Sequence, residues 1–83
     1  MQKNESIYGK SNVVGRRISL LRKKIGLNQQ ELSEEFSKRG ITISTSAISK
    51  LENQTRKVTD IELIALAEIL NTDIKDIMYG ISK

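Results

Sequence analysis

Helix-start and helix-stop signals recur at short intervals along this chain, and that punctuation limits it to short helices. No proline breaks the pattern, and apolar residues keep a helical spacing between the signals. Val14, Ile18, Leu21 and Ile25 lie on one face of an amphipathic helix, which Gly26 is placed to end in the left-handed conformation. Asn28-Gln29-Gln30-Glu31 reads as a capping box with Asn in place of Ser or Thr. It opens a second helix that buries Leu32 and Phe36 and stops at Gly40.

Ile41-Thr42-Ile43-Ser44 alternates as a strand would. Ile41, however, follows the helix stop at the position whose side chain packs back in a Schellman motif, so an extended connector is expected here, without sheet pairing. Ser44 then caps a short third helix, about Thr45 to Asn53, with Ala47, Ile48 and Leu51 inward. Thr59-Asp60-Ile61-Glu62 is a full capping box, opening a fourth helix with a stripe of Leu63, Leu66, Ala67 and Leu70. Asn71 or Thr72 ends it, and Asp73 begins a fifth helix carrying Ile74, Ile77 and Met78, closed by Gly80. The expected fold is all-α, with residues 1–11 a flexible N-terminal arm and residues 12–83 one compact five-helix domain.

Cysteine and histidine are both absent. Disulfides, thiolate and imidazole metal ligands, nucleophilic thiols and the commonest general base therefore drop out, so no enzyme, metal or cofactor is expected. The sequence holds no apolar run near the roughly 20 residues that cross a bilayer, and MQKNESIYGK lacks the apolar core of a signal peptide. A cytoplasmic protein without a membrane partner is expected.

The net charge of +4 is segregated. Residues 1–27 carry seven basic side chains against Glu5 alone, residues 28–59 are nearly balanced, and residues 60–83 sum to −3. A basic front and an acidic back fit a polyanion-binding surface opposed to a solvated or partner-facing one, although an ordinary solvated helix face explains many charge runs.

At "LRKKIGLNQQELSEEF" and "STSAISKLEN" the chain closely resembles the lambda-repressor-like, Cro-type and Xre-type helix-turn-helix DNA-binding family. The agreement runs from about Val14 to Met78 and includes "LIALAEIL". Leu27, Gln29, Glu31, Leu32, Ile48, Ser49, Lys50, Glu52, Asn53, Leu66 and Ala67 match in order, with Ser33 where the family often has Ala. The resemblance implies a helix-turn-helix made by the second and third helices, the third entering the major groove of double-stranded DNA.

On that resemblance Thr45, Ser46, Ser49 and Lys50 are the base-contacting candidates. Lys50 can donate to guanine O6 and N7, whereas the hydroxyls discriminate weakly. For Thr45 and Ser46 a plain helix-start role stands beside base contact. Gln29, Asn53, Arg56 and Lys57 are the backbone-contacting candidates, with Lys10, Arg16, Arg17 and Lys24 weaker ones that equally suit solvated charge. Arg22 and Glu52 match positions that the family pairs, so they are expected to orient the third helix by a bidentate bond.

The resemblance further implies a transcriptional regulator, a repressor at a palindromic operator, expected as a homodimer whose surface comes from the fifth helix and tail with Ile74, Ile77, Met78, Tyr79 and Ile81, although core packing against the first and fourth helices is the favoured role for Ile74 and Ile77. The other reading is a protein-interaction module, such as an antitoxin or anti-repressor partner, using its acidic half. An RNA adaptor suits the chain poorly, because stacking aromatics are scarce. Gln54 and Val58 depart from the glycine and proline common in the family, and the seven residues between Phe36 and Ser44 exceed its usual turn.

Overall fold

The computed structural model describes residues 11–79. Five helices follow one another: α1 (Gly15–Lys24), α2 (Gln29–Lys38), α3 (Thr45–Glu52), α4 (Asp60–Ile69) and α5 (Ile74–Tyr79). No strand occurs among the described residues. Gly80, Ile81, Lys10 and nearly all of the expected arm lie outside them.

The local signals act as their chemistry requires. Asn28 Oδ1 accepts from Glu31 N at 2.7 Å while Asn28 N donates to Glu31 Oε1 at 2.9 Å. Thr59 and Glu62 repeat the exchange at 3.1 Å each way. Ser44 Oγ accepts from Ala47 N. Each bond satisfies an amide that the first turn of a helix leaves without a partner. At the end of α2, Gly40 takes a φ of 78°, and Ile41 N reaches back to Phe36 O at 3.0 Å.

The strand-like alternation of the connector is real, but it pairs with no strand. Ile43 is buried and Ile41 packs on the core, while Thr42 and Ser44 face out. Ser33 Oγ donates to Ile43 O at 2.7 Å, tying the extended segment to α2.

The core is built from Ile18, Leu32, Phe36, Ile48, Leu51, Leu66 and Ile77, all fully buried. Burying each such side chain contributes about 1.5–3 kcal/mol. Packing of α3 against both α1 and α2, and of α4 against α2 and α5, leaves one face of α3 open.

Two expectations need correction, and two more gain detail. Ile25 lies beyond α1, at its C-cap, and is 46% exposed, because the chain turns outward there before Gly26. Ile74, in the first turn of α5, is 39% exposed, so Ile77 does most of the packing for that helix. On α4, Ala65 is buried in addition to Leu66 and Leu70, whereas Leu63 and Ala67 are half-buried. Helix α3 ends at Glu52, and Asn53 is its C-cap.

Candidate nucleic-acid interface

Helix α3 divides cleanly. Ile48 and Leu51 point into the core, Glu52 is also buried, and Ser46 and Lys50 face outward, with Thr45 and Ser49 half-buried beside them. Lys50 enters no salt bridge among the described residues.

The buried charge of Glu52 meets three donors. Arg22 Nε donates to Glu52 Oε2 at 2.6 Å and Nη2 to Oε1 at 3.0 Å. Arg22 Nη1 donates to Leu27 O at 2.8 Å, and Gln29 Nε2 reaches Glu52 Oε1 at 3.1 Å. One carboxylate thus joins the end of α1, the start of α2 and the end of α3. The hydrogen bond to Glu52 raises the Arg22 pKa further above its ordinary value, in spite of burial. Gln29 therefore braces α3 from the first turn of α2. Beside this joint, Arg16, Ser19, Lys23 and Asn53 line a cleft between α1 and α3, with Arg16 and Lys23 exposed.

After α3 the chain turns at Gln54, whose φ of 66° is one that L side chains seldom adopt. Thr55 N bonds back to Lys50 O at 2.9 Å and Gln54 N to Leu51 O, the pattern usually closed by glycine. The Gln54 side chain offsets the strain. Its Nε2 donates to Asn12 O at 3.1 Å, and its Oε1 accepts from Arg16 Nε at 3.2 Å. Ser11 N also donates to Gln54 O, so the chain is fastened to this loop from Ser11 onward.

The cationic candidates separate in space. Lys57 and Asn53 are exposed. Arg56, in contrast, turns to Glu62: its Nη1 and Nη2 donate to the two carboxylate oxygens at 2.9 Å each, and Nη1 also reaches Lys57 O. This pair lowers the Glu62 pKa and raises that of Arg56, the mutual hydrogen bond being the largest cause in each case. Arg17 is directed to α5, donating to Asp76 O at 3.3 Å. Lys24 is exposed at the end of α1.

Sequence reasoning missed Asn12. Its Oδ1 accepts from Val14 N and Gly15 N at 3.0 and 2.7 Å, and its Nδ2 donates to Leu51 O and Arg56 O at 3.1 and 2.7 Å. An asparagine just ahead of an amphipathic stripe is a cap signal, and that signal was present in the sequence. Nothing local announced its two bonds across to α3 and the following loop.

A family model described as helix-turn-helix matches residues 18–77. The chain belongs to the lambda-repressor-like, Xre-type helix-turn-helix family. That family is one of DNA-binding transcription regulators. No curated protein and no solved structure matches the chain. The matched span takes in α2, the connector, α3 and the Arg22–Glu52 joint, while Asn12 and Gly15 precede it. No helix among the described residues is long and apolar enough to cross a membrane.

Proposed function

We propose that this helix-turn-helix protein is a sequence-specific repressor that occupies a palindromic operator in double-stranded DNA as a homodimer. The observation that carries the reading is the division of α3. Its inner face is fixed by Ile48, Leu51 and the buried Arg22–Glu52 pair, while Thr45, Ser46, Ser49 and Lys50 stand free of those duties. In this arrangement Lys50 reads guanine, and the three hydroxyls add weaker base contacts. Gln29 at the start of α2, with Asn53 and Lys57 after α3, meets phosphate oxygens. Arg56 serves the same surface indirectly, through Glu62.

A unit of this size covers few base pairs, so two copies bind half-sites about 34 Å apart. Tyr79, 71% exposed, and the half-buried Met78 near the end of α5 support that reading.

Selection of binding sites from a random DNA pool tests the proposal. Recovery of a palindrome with one helical turn between half-site centres is the expected result. Failure to enrich any sequence at low salt would refute it. A second reading, a protein-interaction module of the antitoxin or anti-repressor kind, draws support from Ile61 and Ile64, both largely exposed on α4 beside acidic residues. Under that reading substitutions at Ile61 and Ile64 abolish partner binding, and DNA selection enriches nothing.

A further inference from the structure

The segment that follows α3 is gripped from two sides by residues that lie outside it. On one side stands Asn12, ahead of α1. Its amide nitrogen holds Leu51 O at 3.1 Å and Arg56 O at 2.7 Å. On the other side is Glu62, in the first turn of α4, with 7% of its surface exposed. It takes both Nη groups of Arg56 and the amide of Thr59. The Arg56 guanidinium in turn closes on Lys57 O at 2.9 Å. The carbonyls of Arg56 and Lys57 are therefore both occupied, one by Asn12 and the other through Glu62.

Fixing two successive carbonyls fixes the course of the backbone through Lys57. A slack loop would have to be ordered when its cation met a phosphate, and that ordering subtracts from affinity. A loop held beforehand avoids the loss. Neither Asn12 nor Glu62 supplies a positive charge, and the Glu62 carboxylate is buried, so direct attraction to DNA is not their contribution.

We propose that Asn12 and Glu62 are positioning residues for nucleic-acid binding, holding Asn53–Lys57 in the geometry that meets the phosphate backbone without touching it themselves. The inference rests on the DNA-binding reading above. Both residues also serve a helix start: Asn12 Oδ1 accepts from Val14 N and Gly15 N at α1, and Glu62 Oε1 accepts from Thr59 N, the N-cap of α4. Variants must therefore separate capping from clamping. Asn12→Ser keeps a short acceptor for the α1 amides and removes the donor that reaches Leu51 and Arg56. Glu62→Gln keeps an acceptor near Thr59 N and removes the charge that holds Arg56.

The test measures two quantities on the full chain, well below its unfolding temperature. The first is amide hydrogen exchange in the free protein at Gln54 and Thr55, whose N–H groups are bonded to Leu51 O and Lys50 O at the start of the loop. The second is affinity for a random-sequence duplex and for the best selected site across a salt series. In both variants loop exchange is expected to accelerate about tenfold, a loss of local protection only. Affinity should fall about five- to tenfold on every duplex alike, with the salt slope and the sequence preference kept, because the phosphate contacts of the bound state are the same.

Unchanged loop exchange would overturn the clamp. Faster exchange with full affinity would overturn its link to DNA, leaving helix capping as the sole role. Failure of the parent protein to bind any duplex would refute the DNA reading, and the link with it, while the exchange data would still report on the clamp.

Discussion

Gly15 lies against the main chain of Leu51 so closely that a Cβ on Gly15 would stand 2.3 Å from the Leu51 carbonyl oxygen and 3.0 Å from that of Glu52. Helices α1 and α3 thus meet backbone to backbone at the N-terminal end of α1. Gly15→Ala forces the two apart. Overpacking of this kind costs about 1–3 kcal/mol, against a gain of up to about 1 kcal/mol from alanine's helix propensity. A lower urea midpoint with an unchanged m-value is the expected result. An unchanged midpoint would mean that the pair separates freely.

The Arg22–Glu52 joint is structural. Glu52→Ala leaves a buried guanidinium without its counter-charge, at a cost of about 3–5 kcal/mol, enough to lower the melting temperature by more than roughly 10 °C. Glu52→Gln, which keeps an acceptor, should lose less. A thermal melt unchanged by Glu52→Ala would defeat this account.

Acid should weaken the Arg56–Glu62 clamp in a defined direction. The Arg56 guanidinium lowers the pKa of Glu62 in the folded protein. Its contribution is therefore complete above the ordinary glutamate value, about 4.3, and is lost as pH falls through the lower folded value. Melting temperatures of the parent and Glu62→Gln should differ at neutral pH and converge in strong acid. A gap of constant size at every pH would show that the charge contributes nothing.

Lys50 and Lys57 should fail in different ways. Lys50→Ala is expected to relax preference at one position per half-site, costing about 1–3 kcal/mol on the preferred site. Lys57→Ala should weaken all duplexes equally and reduce the salt slope by about one. Competition binding against mutated sites distinguishes them. Loss of base preference with Lys57→Ala would exchange the two roles.

What was legible in the sequence was mostly what is local. The caps at Asn28, Ser44 and Thr59 involve partners three residues away, so residue type and spacing suffice to place them. The pairing of Arg22 with Glu52, thirty positions apart, came from family resemblance, since spacing alone carries no such information. The course of the chain after α3 was not legible. Gln54 takes a glycine-like φ because Asn12 and Arg16 hold its side chain. Arg56 resembles a phosphate ligand in sequence, and nothing there showed that it also pairs with Glu62, recognisable only as a capping-box residue. Gly15 shows its role only once α3 lies across it.

The division of α3 bears on how new DNA preferences can arise. The residues that seat the helix, Ile48, Leu51 and Glu52, are distinct from Ser46 and Lys50, which face outward, and from the half-buried Thr45 and Ser49 beside them. Ser46 and Lys50, the exposed pair, can therefore be exchanged with little penalty in folding, so that, on the DNA-binding reading proposed above, part of the target preference can change without disturbing the scaffold.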